Sequence, residues 1–218
     1  MSRRFPISLA TSIGRKNIEA LSGTLLLAFM VEHFLANLML LLASPEPYRW
    51  YTETLGRAVF VRGLEVALFL LFALHIGVGL YMRLKHRRVM KRHPSAPRPT
   101  QISTRFVGWT GLVILVFLVL HLWRFFIPNR LLDIPDFDLY QQAHLAFSDP
   151  LYVLVYVASM IALASHLMHG IKSALFSFRV FAPSALVKLR KVLSWVGVGT
   201  SVGLAYIAVH IYVLSVIR

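Results

Sequence analysis

Apolar residues form five long runs along the chain, and short stretches rich in charge separate them. A helix of about 20 residues spans the roughly 30 Å hydrocarbon core of a bilayer. The runs therefore predict five transmembrane helices, spans I to V, at about 17–42, 63–82, 106–127, 151–176 and 192–217. Residues 1–16 are basic and mildly amphipathic, which is typical of a segment at the membrane surface. We expect an all-α membrane protein with one domain, residues 1–218.

Composition supports a membrane protein and excludes several kinds of site. Hydrophobic residues make up 57% of the chain, and the mean hydropathy is +0.67. The chain has no cysteine, which excludes thiolate ligands, an iron–sulfur cluster in this chain and covalently attached haem. The formal net charge of +14 does not predict nucleic-acid binding, because the basic residues flank the spans, where they set topology and contact anionic lipid.

The loops divide the basic residues unequally between two sides. The N-terminal segment, the II–III loop and the IV–V region hold seventeen of the twenty-three Lys and Arg, counting Lys172 at the end of span IV. The III–IV loop has four aspartates against one arginine. By the positive-inside rule, this distribution predicts a cytoplasmic N-terminus and a C-terminus outside.

Each of the first four spans carries a histidine at membrane depth. In the predicted topology, His33 and His121 lie in the outer half, and His75 and His166 lie in the inner half. Bis-imidazole ligation of haem iron needs two opposed histidines at one level. A lone membrane histidine is more often an interhelical hydrogen-bonding group, but four at two paired depths favour two haems over zinc, whose ligands converge on one point. No internal sequence repeat is evident.

Glycine follows both inner histidines by one helical turn. Gly79 comes after His75 in HIGVG, and Gly170 comes after His166 in HLMHG. A residue without a Cβ lets a flat macrocycle approach the backbone. The same span IV also carries His169, which is expected to hydrogen-bond a haem propionate or to line the inner surface. The other histidines are interpreted as surface groups in loops or, for the one in span V, as structural: His86, His93, His144 and His210.

These residues resemble the cytochrome b membrane-anchor subunit of succinate:quinone oxidoreductases, in its single-polypeptide, five-span, two-haem form. The similarity covers nearly the whole chain and is carried by SIGRKNIEALSG, EHFLAN, HIGVG, HLWR, FDLYQQAHLAFSDP and HLMHGIKS. The resemblance implies that His33 and His121 ligate the outer haem b, and His75 and His166 the inner one. It also selects His166 over His169, because the family ligand lies four residues before a glycine.

The resemblance further implies a place in an enzyme complex of a bacterial cytoplasmic (inner) membrane. A flavoprotein subunit and an iron–sulfur subunit are expected to dock on the cytoplasmic side, against the basic segments 83–105 and 179–191. They would carry the dicarboxylate chemistry of succinate dehydrogenase or fumarate reductase, while this chain passes electrons between them and membrane quinone. Menaquinone is the expected quinone.

Glu65, at the outer start of span II, is the predicted group for quinone-linked proton transfer. The alternative for Glu65 is an interfacial ion pair with Arg62. Glu32, beside His33, is expected to relay protons or to bond a neighbouring helix. Trp123 is expected to be an aromatic wall or an interfacial anchor.

Two other functions remain open from the residues. One is a cytochrome b subunit of another quinone-linked dehydrogenase, whose ligands would fall on other spans. The other is a proton-linked transporter or a passive membrane scaffold, in which the intramembrane acids and histidines move protons or join helices. Only the first of these two gives b-type absorption bands.

Overall fold

The structure, a computed structural model, describes residues 8–42, 44–92, 102–132, 134, 137–178 and 183–217. All regular elements in these ranges are helices: α1 (Ser12–Asn37), α2 (Glu46–Arg57), α3 (Val59–Arg92), α4 (Ile102–His121), α5 (Leu139–Phe147), α6 (Pro150–Phe178) and α7 (Pro183–Ile217). A 3-10 turn, Leu38–Leu41, follows α1, and a π-helical segment, Leu122–Leu131, continues α4. Five helices are long and apolar enough to cross a membrane. The prediction of an all-α, multi-pass membrane protein is confirmed.

Two short helices lie in segments that the sequence predicts to be loops. Pro45 caps the start of α2 and Pro47 lies in its first turn, where a proline without an N–H costs no hydrogen bond. Asp138 caps α5 by accepting a hydrogen bond from the Tyr140 amide at 2.9 Å. His144 lies in this helix and not in a loop. These proline and aspartate residues therefore begin helices within the predicted loops.

The long helices extend beyond the predicted spans. Helix α3 continues ten residues past Met82, because Lys and Arg are good helix formers, and it includes His86. Helix α1 begins at Ser12, so the last residues of the predicted surface segment belong to it. Pro128 does not end the third span but lies inside the π-helical segment. The other loop histidine, His93, and residues 1–7 lie outside the described residues.

Helix α6 lies at the centre of the bundle, where it packs against α1, α4 and α7. Helices α1 and α3 are antiparallel neighbours, since Glu19 lies beside Gly79 and Phe29 contacts Phe72. Helix α7 packs alongside α6 and α1, as expected for span V, and the ring of Phe34 fills the space over Gly203. Small residues allow such close helix approach in membranes. Helices α3 and α4 are held apart, and a cavity lies between them.

Candidate functional site

A cavity in the described part of the bundle has a volume of about 1440 Å³ and a mostly apolar lining. Pockets for one small ligand are typically about 300–1,000 Å³, so this cavity has room for more than one. Helices α1, α3, α4 and α6 each contribute one of the predicted ligands to its wall: His33, His75, His121 and His166. The fold thus brings four histidines, spread over 134 positions of the chain, to one internal space.

The outer layer consists of His33 and His121, which face each other. Their ring centres are 5.9 Å apart, and the ring planes are inclined by 83°. Phenylalanines flank both rings: Phe29 at 5.5 Å from His33, and Phe117 and Phe125 at 5.6 and 5.1 Å from His121. Among the described residues, the buried Nδ1 of His121 has no hydrogen-bond partner. The outer pair is therefore confined by aromatic packing.

The inner layer consists of His75 and His166, on the side of the cavity toward the start of α1. Their ring centres are 6.3 Å apart, with an angle of 77° between planes. Hydroxyl groups hold both rings: Ser22 Oγ is 3.0 Å from His75 Nδ1, and Thr110 Oγ1 is 3.4 Å from His166 Nδ1. The inner pair is therefore oriented by hydrogen bonds.

Both ring separations match two imidazoles on one metal. With metal–imidazole bonds of about 2.0–2.1 Å, two opposed imidazoles that shared one metal would have their ring centres roughly 6 Å apart. A bis-imidazole haem takes two protein ligands, which is what each layer supplies. The donor set, the separations and the apolar walls fit two haems, one in each layer.

The two helical hairpins, α1 with α3 and α4 with α6, repeat the same contacts. Spans I and III share the pattern Ser/Thr-Gly-x9-His, and spans II and IV share His-x3-Gly. A Cβ at Gly23 would lie 3.2 Å from Cε1 of His75, and one at Gly111 would lie 3.5 Å from Cε1 of His166. The histidine-bearing spans, whose recurrence the sequence shows, thus share short motifs. The Ser/Thr-Gly pattern ahead of both outer histidines was a signal that could have identified Ser22, Gly23, Thr110 and Gly111.

The predicted glycines have different surroundings. Among the described residues, nothing lies within 4 Å of a Cβ built at Gly170, so this side of the cavity is open. A Cβ at Gly79 would lie 2.8 Å from Oε1 of Glu19, an acid that sequence reasoning did not single out. The same oxygen is 3.7 Å from Nε2 of His75. Haem binding at His75 therefore requires the Glu19 carboxylate to move from that nitrogen.

Two further histidines, His86 and His169, line the same cavity as the two pairs, whereas His144 and His210 line a smaller one. His169 lines the cavity, and its buried Nδ1 has no hydrogen-bond partner in the described ranges. His210 stacks on Tyr206, with ring centres 5.6 Å apart, and lines a smaller cavity of about 210 Å³ together with His144. Leu40 lines both cavities. The role of His169 stays a prediction.

The predicted proton-transfer residue, Glu65, lines the outer part of the cavity and is ion-paired. Its Oε1 is 2.9 Å from Arg130, and its Oε2 is 3.6 Å from Arg62. Arg130 also donates to the Gly56 carbonyl at 2.9 Å. The expected contact with Arg62 is therefore present, but Arg130 of the π-helical segment is the closer partner. Sequence reasoning missed this arginine because the contact joins distant parts of the chain.

Two other predicted residues face away from the ligand pairs. Glu32 accepts a hydrogen bond of 2.6 Å from the Tyr51 hydroxyl. Burial, together with that bond, raises the pKa of Tyr51 to about 12, so it remains a donor at neutral pH. Glu32 thus joins α1 to α2. Trp123 is 70% exposed and does not line the cavity, which favours the interfacial anchor over the aromatic wall.

Cationic side chains gather at the inner end of the bundle. Lys16, Arg83 and Arg87 line the cavity there, and the Arg83 guanidinium lies directly over Gly108. The last turns of α3 and the first turns of α7 expose further cations, including Lys188 and Arg190. Parts of both predicted docking segments, 93–101 and 179–182, lie outside the described residues.

No protein-family model, curated protein or solved structure matches the chain.

Proposed function

We propose that the chain is a di-haem cytochrome b that anchors a succinate:quinone oxidoreductase and carries electrons between its iron–sulfur subunit and membrane quinone. One observation carries the proposal: two pairs of facing imidazoles, with ring centres 5.9 and 6.3 Å apart, share one apolar cavity within a membrane bundle. His33 and His121 would hold the outer haem, and His75 and His166 the inner one. Each bound haem supplies a one-electron carrier.

The chain's own residues would position and enclose these groups. The four histidines come from four helices, so the bundle must be folded before either pair exists. Phe29, Phe117 and the aliphatic lining exclude water, which favours a buried macrocycle. The cations at the inner end, Lys16, Arg83 and Arg87, suit carboxylate groups of a ligand in that layer.

Quinone would exchange electrons and protons near the outer layer. Glu65 remains the proposed proton-transfer group, because it lines the cavity on that side. Its ion pair with Arg130 gives it a structural role as well. Menaquinone remains the proposed quinone.

The flavoprotein and iron–sulfur subunits would dock at the inner end, on the cytoplasmic side of a bacterial inner membrane. Exposed cations at the end of α3 and the start of α7 support this orientation and supply a surface for acidic partners. Crosslinks from these segments to a copurifying soluble subunit are the expected result. Crosslinks from the α2 and α5 end alone would contradict the orientation.

A reduced-minus-oxidised absorption spectrum of the purified protein tests the function. Two b-type haems per chain are expected, together with succinate–quinone activity in the intact complex. A chain without b-type bands would be a transporter or scaffold. Two haems with a copurifying hydrogenase, formate dehydrogenase or nitrate reductase would assign it to another quinone-linked enzyme.

A further inference from the structure

The two hydroxyl groups of the inner layer occupy equivalent positions in the repeated hairpins. Ser22 and Thr110 each lie eleven residues before an outer histidine, and each contacts the inner histidine of its own hairpin. Because two separate helices repeat the same contact with the same ring atom, chance packing of one side chain does not explain it.

Hydrogen-bond direction follows from the partners of each hydroxyl. Ser22 Oγ donates its proton to the Glu19 carbonyl at 3.1 Å, and Thr110 Oγ1 donates to the Val107 carbonyl at 2.9 Å. A hydroxyl carries one proton, so each oxygen can only accept from the imidazole. Both bonds of each hydroxyl form together only when Nδ1 of the ring carries the proton. In that tautomer Nε2 has a lone pair for a metal, which at His75 becomes accessible once the Glu19 carboxylate, 3.7 Å away, has moved.

Glycine next to each hydroxyl allows this contact. Gly23 and Gly111 lie under the edges of the His75 and His166 rings, where a Cβ would be 3.2 and 3.5 Å from Cε1. A Cβ at Gly23 would therefore crowd the His75 ring, whereas one at Gly111 would be in ordinary contact with the His166 ring. Ser/Thr-Gly is thus a local unit in which one residue bonds the ring and the next makes room for it.

We propose that Ser22 and Thr110 are positioning residues of the inner site: their hydroxyls fix Nδ1–H of His75 and His166 and turn Nε2 into the cavity. The inference rests on the proposed function, in that the inner pair binds haem. A hydrogen bond from Nδ1–H fixes ring orientation and raises the basicity of the ligand, which stabilises ferric over ferrous iron and lowers the reduction potential. The outer pair has no such hydroxyls in the described residues and depends on packing.

The test compares Ser22→Ala and Thr110→Val with Thr24→Val in the full-length protein. Thr24 is a matched control, because its hydroxyl also lines the cavity and donates to a backbone carbonyl, that of Ala20 at 2.8 Å. Redox titration gives both haem potentials, which single-histidine variants assign to their layers. Electron paramagnetic resonance reports the relative orientation of the two imidazole planes.

Both test variants are expected to raise the potential of the inner haem, alter its resonance and weaken its retention by about 10–100-fold, with the outer haem unchanged. Ser22→Ala should have the larger effect, since its contact is shorter, and Thr110→Ser should restore the original values. Unchanged inner-haem potential and resonance in both variants would overturn the assignment, as would an equal shift in Thr24→Val. Absence of haem from the unmodified protein would instead overturn the proposed function, and this assignment with it.

Discussion

The inner and outer histidine pairs share their geometry but differ in what holds their rings. Ring centres are 6.3 Å apart in the inner pair and 5.9 Å apart in the outer pair. Ser22 and Thr110 hold the inner rings by hydrogen bonds, whereas phenylalanines surround the outer rings and leave Nδ1 of His121 without a partner in the described residues. The same bundle therefore holds one pair of imidazole rings by hydrogen bonds and the other pair by aromatic packing.

The difference shows what each kind of support provides. A hydrogen bond selects one nitrogen as donor and fixes the ring about its Cβ–Cγ bond. Aromatic packing restricts the ring without selecting a nitrogen. Hydrogen bonds therefore fix the rings of the inner pair, and the rings of the outer pair are restricted mainly by the shape of their surroundings. Because each layer draws its two ligands from different hairpins, neither pair forms within one hairpin alone.

The largest predicted effect is loss of one haem from a single-histidine variant. His75→Ala or His166→Ala should remove the inner haem and leave the outer one, because one bis-imidazole site loses a ligand. His33→Ala or His121→Ala should do the reverse. Haem content per chain, measured as the pyridine haemochromogen, should fall from two to one in each variant.

His169→Ala is the control for that series. It lies one turn from His166 and lines the same cavity, but the proposal gives it no iron to bind. Two haems should remain. If His169→Ala lost the inner haem and His166→Ala kept it, His169 would be the ligand and His166 would not.

The sequence alone predicted the five long helices and the pairing of the four histidines. Both predictions depend only on local sequence: the hydropathy of each run and the position of one histidine within each span. The ends of the helices were less predictable: Pro128 continues the third span, and Pro45 starts α2. Local sequence also gives no account of contacts between distant segments. Arg130 against Glu65 and Glu19 beside His75 both depend on how the hairpins assemble.

The next effect concerns Glu65 at the outer end. The experiment asks whether its carboxylate transfers protons or only forms an ion pair with Arg130. Glu65→Gln should abolish quinone turnover while both haems, and succinate oxidation with an artificial acceptor, are retained. Arg130→Gln is the matched control, because it breaks the same ion pair but keeps the carboxylate. It should lower stability by about 2 kcal/mol, the typical cost of lost hydrogen bonds to a charged group, and keep turnover. Equal loss of turnover in both variants would leave Glu65 a structural role only.

The smallest effect should appear where α5 covers the outer layer. Asp138 caps α5 and bonds Arg49 on α2 at 2.6 Å. Partial burial raises the pKa of Asp138, but the hydrogen bonds from Arg49 and the backbone amides together outweigh it and hold the pKa below 3.8. A carboxyl group whose pKa is lower in the folded state stabilises the fold. This contribution is fully present above the unfolded pKa of about 3.9, and it is lost as pH falls through the folded pKa.

Asp138→Asn keeps a good helix cap and removes the ion pair. It should therefore lower the temperature of outer-haem loss slightly at pH 7. The difference from the unmodified protein should begin to shrink as pH falls past about 4 and should vanish only below the lowered folded pKa of Asp138. Asp138→Ala also removes the cap and should cost about 0.5–2 kcal/mol more. The inner haem should not respond, because Ser22 and Thr110 hold its ligands at the other end. A pH-independent difference would exclude Asp138 ionisation as the cause.

Haem content of paired variants tests the two-layer arrangement most directly. Removing both members of one pair, His33 with His121 or His75 with His166, should leave one haem per chain. Removing one member of each pair, His33 with His75 or His121 with His166, should leave none. One haem remaining in His33→Ala/His75→Ala, or none in His33→Ala/His121→Ala, would contradict the pairing on which the account depends.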